Sequence, residues 1–173
     1  VDGYEADDVL ASIVRQYPGT VVTSCDKDLL CLSGRCRVFA PWGSGEFLSP
    51  ESKLGIPAGQ VTDYLALCGD ASDGVPGVKG IGPKTAVELL QAHGNLEAIL
   101  SAAKAGQVKG AVGRKLTDGF SDALKSHELV ELVDSLPLPE LQPWRPPAGW
   151  QNRLQDMRLG NVAGILESIV EHF

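Results

Sequence analysis

The sequence predicts an α/β fold that passes, near residue 76, into an all-helical segment, and three observations carry that prediction. Residues 5–16 place Val9, Leu10, Ile13 and Val14 at helical spacing, and an apolar run at residues 20–24 then ends beside Asp26. That order of helix, strand and acid suits a sheet whose ligands gather beyond the carboxyl ends of its strands. A glycine-rich stretch at residues 77–82 opens directly onto Pro83 and a helical pattern, and no strand pattern competes after it.

The elements follow in order. Tyr17, Pro18 and Gly19 stop the first helix, and residues 20–24 form a buried strand. Residues 37–40 are a second strand, and residues 41–45 turn into a third at 46–48. Helical spacing returns at residues 58–68 through Val61, Tyr64, Leu65 and Leu67, then at 83–92, 95–103, 107–116 and 118–133, with breaks at Gly94 and at residues 104–106. Residues 136–147 hold repeated prolines and must be extended, since proline cannot donate to a helix and restricts the residue before it. This strap leads to helices near 151–158 and 161–172, which are expected to pack back on the core. Three segments result: 1–76, 77–135 and 136–173.

At 173 residues and 43% hydrophobic, the chain suits one compact domain with a small appended module. It begins with Val and shows neither a cationic-apolar leader nor a membrane span, so it reads as a cytoplasmic piece of a longer chain. The four cysteines have neither paired metal-ligand spacing nor a nearby histidine, which argues for reduced thiols rather than zinc. The net charge of −7 divides as −6 over residues 1–76, +3 over 77–125 and −4 over 126–173. The basic part coincides with the glycine hairpin, and a local basic face suffices to attract phosphate.

Three acidic groups stand out: Glu5, Asp7 and Asp8; Asp26 and Asp28; Asp70 and Asp73. On a helix Glu5 and Asp8 lie about 60° apart and Asp7 about 100° from Asp8, so their oxygens can meet at one edge. Each group also has a structural reading. Acids in a first turn favour the helix dipole, by ~0.3–1 kcal/mol; Asp26 and Asp28 can cap a helix carrying Leu29, Leu30 and Leu32; residues 69–74 have turn composition. Recurrence of all three beside a phosphate clamp favours metal binding. Two divalent ions roughly 3.5–4 Å apart can polarise a phosphodiester and activate water. Magnesium takes oxygen ligands and keeps several waters, so many carboxylates would act through water; manganese is the alternative ion.

In Gly77-Val78-Lys79-Gly80-Ile81-Gly82-Pro83-Lys84, glycine lets the backbone approach a phosphate without a Cβ, and Pro83 suits the first turn of a helix whose free N–H groups attract an anion. Lys79 and Lys84 add charge, and Ala86, Leu89 and Leu90 mark the inner face of the following helix. This is a helix-hairpin-helix signal. Lys104, Lys109, Arg114, Lys115 and Lys125 extend the basic surface or are simply solvated.

The motifs GYEADDV (residues 3–9), TSCDKDLL (23–30), GDASDGVPGVKGIGPKTA (69–86) and LLQAHGNLEAIL (89–100) together resemble the bacterial and phage 5′–3′ exonucleases, or flap endonucleases, including the nuclease domain of DNA polymerase I. The resemblance implies the C-terminal part of a PIN-like, resolvase-like nuclease core with a helix-hairpin-helix (H2TH, SAM-fold) subdomain. It implies that Glu5, Asp7 and Asp8 serve a first metal, that Asp26 lies between two metals, and that Asp28, Asp70 and Asp73 serve the second, with Asp26 and Asp28 catalytic. Val78, Lys79, Gly80, Ile81, Gly82, Lys84 and Thr85 would contact duplex DNA, and the hairpin carbonyls can hold potassium. The implied partner is branched or nicked duplex DNA with a 5′ end or flap, met by a monomer in replication and repair, at the nucleoid of a bacterial or phage-infected cell.

The resemblance has gaps. The family begins with a strand ending in aspartate, a second aspartate and a basic helical arch, none of which this sequence contains, and Gly74 stands where Asn is common. Two other readings explain part of the pattern: a non-catalytic helix-hairpin-helix module that binds duplex DNA, and a carboxylate-site RNA nuclease, which leaves the hairpin unexplained.

Overall fold

The computed structural model describes residues 3–41, 45–141, 147–158 and 162. Helix α1 (Ala6–Gln16) starts at a reciprocal capping box: the Glu5 side chain accepts from the Asp8 backbone, and Asp8 Oδ2 accepts from the Glu5 N–H at 3.2 Å. Its inner face buries Ala11, Ser12 and Val14. Strand β1 (Val21–Thr23) then runs parallel to β2 (Arg37–Phe39), with Val22 opposite Val38, and β3 (Phe47–Leu48) pairs antiparallel on the far side of β2. The chain between the two parallel strands forms the seven-residue 3-10 helix Asp28–Gly34, which buries Leu29, Leu30 and Leu32 under the sheet.

Helix α2 (Pro50–Leu54) has no counterpart in the sequence expectations. Its five residues are too few for apolar periodicity, although Ser49 caps it and Pro50 fills its first turn. The expected helix at 58–68 divides into a 3-10 turn, Ala58–Gln60, and α3 (Val61–Cys68). Helix α3 buries Val61, Tyr64, Leu65, Ala66 and Leu67, because α4 (Pro83–His93), α5 (Leu96–Lys104) and α7 (Phe120–Val130) pack around it. Val61, Leu65 and Leu67, the fully buried large side chains among them, each contribute about 1.5–3 kcal/mol through removal from water. Helix α6 (Gly110–Asp118) starts three residues later than expected, and α7 ends at Val130, three residues early, where Glu131 turns extended.

One apolar cluster runs from Ala11 and Val14 through Val38, Leu65, Val75, Val78 and Ile81 to Leu116 and Val130, so the sheet and the hairpin rest on a shared core. Residues 131–141 form no helix or strand, as the prolines require. The strap is fastened to α1 along one helical face. Asp8 Oδ1 accepts from the Val133 N–H at 2.8 Å; Ser12 Oγ donates to Val133 O at 3.2 Å and accepts from the Leu136 N–H at 3.1 Å. Asp134 pairs with Arg15 at 2.7 Å and Arg35 at 2.6 Å.

Val1–Leu138 form one compact unit and Pro139–Phe173 a second. Within the second, α8 (Trp150–Asp156) matches the helix expected near 151–158. The turn at 41–45, the prolines at 143 and 146 and the helix at 161–172 fall wholly or largely outside the described residues. No helix among the described residues is long and apolar enough to cross a membrane.

Candidate metal centre and nucleic-acid interface

The loop after α3 is folded back on itself. Asp70 and Val75 exchange both backbone hydrogen bonds, at 2.9 and 2.8 Å, so residues 71–74 are held as a closed turn. Gly74 has φ +72, a left-handed conformation that glycine and asparagine share, which explains why glycine serves where Asn is common. This turn brings Asp70 and Asp73 beside Asp28, which opens the 3-10 helix beyond the carboxyl end of β1. One ligand oxygen from each of Asp28, Asp70 and Asp73 lies within 4.8 Å of the others.

These three carboxylates have different surroundings. Burial, followed by the charges of Asp26, Asp70 and Asp73, pushes Asp28 up to about 6, and its Oδ1 is buried without a hydrogen-bond partner. Asp70 is almost fully buried; the Lys27 ammonium and the Ser72 hydroxyl hold its carboxyl down at about 2. Asp73 is exposed. A buried carboxylate oxygen lacking a donor, facing two more carboxylates, is the environment a hard divalent cation satisfies, so the residues fit the metal.

The upstream acids divide. Burial and then Asp26, with smaller contributions from Glu5, Asp8 and Asp73, raise the Asp7 carboxyl, so Asp7 and Asp26 belong to the same electrostatic neighbourhood as the trio. Asp26 also accepts from the Asp28 N–H at 3.0 Å, a turn contact just ahead of the 3-10 helix, whose N-cap position is Lys27 and not Asp26 as the capping alternative expected. Glu5 and Asp8 take the helix-cap role, and both Asp8 oxygens already accept backbone N–H groups, from Glu5 and Val133.

In the hairpin, Val78 and Ile81 are buried; the Val78 N–H donates to Leu67 O at 2.8 Å and the Ile81 N–H to Val78 O at 2.9 Å. Both residues anchor the turn, while Lys79, Gly80 and Lys84 are exposed and Gly82 and Thr85 half-buried. Gly82 precedes α4, whose first-turn N–H groups have no partner within the helix. Lys115 reaches across from α6 and donates to Gly80 O at 2.8 Å. Sequence reasoning did not single out Lys27, which had a visible signal as a single cation between Asp26 and Asp28, and it placed Lys115 only among five cations that extend the basic surface or are simply solvated. A groove of about 590 Å³ lined by Asp63, Leu100, Phe120, Leu124 and His127 lies elsewhere and shares none of these side chains. Cys31, Cys36 and Cys68 are free thiols, and burial pushes Cys31 up to about 11, so it is inert as a nucleophile.

The carboxylate trio is thus joined through one closed loop to a glycine hairpin that opens a helix. The model of the 5′–3′ exonuclease C-terminal SAM fold matches residues 56–148, more than half of the chain, and the chain belongs to that family. It is 43% identical over 145 residues to DNA polymerase I of Deinococcus radiodurans, covering 79% of this chain and 15% of that protein. It is 42% identical over 147 residues to the thermostable DNA polymerase I of Thermus aquaticus, covering 80% and 17%. The chain thus spans about one sixth of these relatives. Two solved structures share the fold at 22% identity. A T5 5′-exonuclease with bound zinc has a TM-score of 0.66, and a bacteriophage T5 flap endonuclease complex with DNA and metal ions has 0.67. Each match covers 77% of this chain and 52% of the other.

Proposed function

We propose that this chain supplies the duplex-clamping and cation-binding part of a 5′–3′ exonuclease or structure-specific 5′ flap endonuclease that hydrolyses DNA phosphodiesters. The observation that carries this reading is the convergence of Asp28, Asp70 and Asp73 within 4.8 Å, one closed loop away from the hairpin. Two divalent ions, magnesium or manganese, would polarise the scissile phosphate and activate water there. Asp28, Asp70 and Asp73 hold one ion; Asp7 leads the set for the other, and Asp26 stands between them. Glu5 and Asp8 fix the start of α1 and retain further lone pairs for water-mediated contact with the first ion.

Residues 77–135 grip the duplex. The exposed turn at Lys79 and Gly80, with Gly82, Lys84 and Thr85 at the start of α4, faces phosphate, while Val78 and Ile81 hold the turn on the core. A potassium ion at the hairpin would compete with the Lys115 ammonium for Gly80 O. The substrate is branched or nicked duplex DNA carrying a 5′ end or flap, bound by a monomer in the cytoplasm of a bacterial or phage-infected cell. Residues 1–76 carry the chemistry, and Val133, Asp134 and Leu136 fasten α1 beside it.

One observation favours a second reading: the capping box of Glu5 and Asp8 and the ion pair of Lys27 with Asp70 give three of the acids structural work. A non-catalytic duplex-binding module would need no more. Cleavage of a 5′-labelled flap duplex in magnesium or manganese, with and without chelator, is measured with binding to the same DNA recorded in parallel, on this chain and on the chain with the family's upstream segment restored. Chelator-sensitive cleavage by either supports the nuclease; metal-independent binding with no cleavage even after the upstream segment is restored supports the module.

A further inference from the structure

We propose that Lys27 is an internal counterion of the carboxylate trio, seated on Asp70 when no metal is bound and displaced from it by a divalent ion. The inference rests on the reading of Asp28, Asp70 and Asp73 as a cation site and adds a residue that competes for it.

Asp70 has only one oxygen to offer. Its Oδ1 is held by the Ser72 backbone N–H, at 2.9 Å, and by the Ser72 hydroxyl, whereas Oδ2 is buried and faces the Lys27 ammonium. A metal ion using Oδ2 must therefore take the place of that ammonium. The two side chains are unequal in exposure: 3% for Asp70 and 45% for Lys27. The lysine reaches in from solvent on a flexible stem, and its strongly hydrated head can return to water. Its backbone lies between Asp26 and Asp28, so the same short segment supplies a ligand and its competitor. Without the lysine, three carboxylates face one another, with an orphan Asp28 oxygen among them. With it, one negative charge is neutralised until a dication arrives. Lys27 thus stabilises the ion-free chain and weakens the site for metal, because the metal-bound chain no longer uses the pair.

The test is manganese titration by calorimetry, together with thermal unfolding in chelator and in saturating manganese, on the parent chain, Lys27→Met and Lys27→Gln. The glutamine variant keeps a neutral donor for Asp70 and so protects folding. Both variants are expected to bind manganese about tenfold more tightly than the parent, as the loss of a competing charge at contact distance requires. Their unfolding midpoints should fall below the parent's in chelator and approach it in manganese. A parent-to-variant gap that is the same with and without manganese would show that Lys27 is merely structural and overturn the inference. Weaker manganese binding by both variants would overturn it too, making Lys27 a support of the metal rather than its rival. If all three proteins fold and none binds manganese, the reading of the trio as a metal site fails, and this inference fails with it.

Discussion

Gly77 lies against Gly69 so closely that a Cβ on Gly77 would sit 2.3 Å from the Gly69 nitrogen. Both glycines have positive φ, +61 and +73, and between them they close the loop that presents Asp70 and Asp73. The Gly77 N–H also donates to the buried Ser126 hydroxyl at 2.9 Å, which ties the loop to α7. Gly77→Ala should therefore cost about 2–4 kcal/mol of stability, through backbone strain and a clash that no side-chain rotation relieves. Gly74→Asn, at an open left-handed position, should be nearly neutral. Urea unfolding of the two variants compares them directly; a tolerated alanine at 77 would mean that the loop is less tightly closed than its hydrogen bonds indicate.

Much of this arrangement was legible in the sequence, for physical reasons that also explain what was not. Helices α1, α4 and α5 were readable because apolar periodicity and stop signals agree there, and the strands because short apolar runs lie between turn residues. Pattern could not resolve α2, which is too short, or the 3-10 form of Asp28–Gly34, because apolar spacing over seven residues does not separate 3-10 from α. At the site, residue type and recurrence singled out Asp28, Asp70 and Asp73. Nothing local distinguished them from Glu5 and Asp8, because acids that cap a helix and acids that could hold a metal have the same composition. The roles of Lys27, Lys115 and Ser12 depend on contacts across the fold, which spacing does not encode.

Asp28→Asn should raise stability and abolish tight metal binding at once. At neutral pH the parent holds a charge on a half-buried carboxyl that burial and like charges push up to about 6. Removing that charge should stabilise the metal-free chain by about 1–2 kcal/mol, after allowance for partial solvent access. Manganese affinity should fall at least about tenfold, since one of three charged ligands is lost. Duplex binding in chelator should not change. Calorimetric titration and unfolding of the same preparation read both effects, and unaltered manganese affinity would remove Asp28 from the site.

Lys115→Ala tests the hairpin. The ammonium supports the exposed Gly80 carbonyl and adds positive charge where the duplex is proposed to lie. Loss of one phosphate-facing cation should reduce the slope of log affinity against log salt by about 1 and weaken binding without regard to sequence. The basic segment carries only a +3 excess, so the parent slope should itself be shallow. An unchanged slope would mean that Lys115 only braces the turn.

Asp134 makes stability depend on pH through the strap. Its carboxyl is held below the ordinary carboxylate range by Arg35 and then Arg15, while the unfolded chain titrates near about 3.9. Between those values the unfolded state binds more protons, so stability rises with pH across that window. The contribution is fully present above the unfolded value and is lost as pH falls through the folded one. Asp134→Asn should cost about 1 kcal/mol at pH 7, since both pairs are partly exposed, and its penalty should shrink as the medium becomes acidic. Ser12→Ala removes the neutral fastening beside it, two hydrogen bonds to the strap at a buried hydroxyl, and should cost about 1–2 kcal/mol at every pH. Urea midpoints from pH 3 to 7 distinguish the two: a narrowing gap for Asp134→Asn beside a constant gap for Ser12→Ala establishes that the strap is held by charge at one point and by neutral hydrogen bonds at the other, and a constant gap for both would remove Asp134 as a titrating contact.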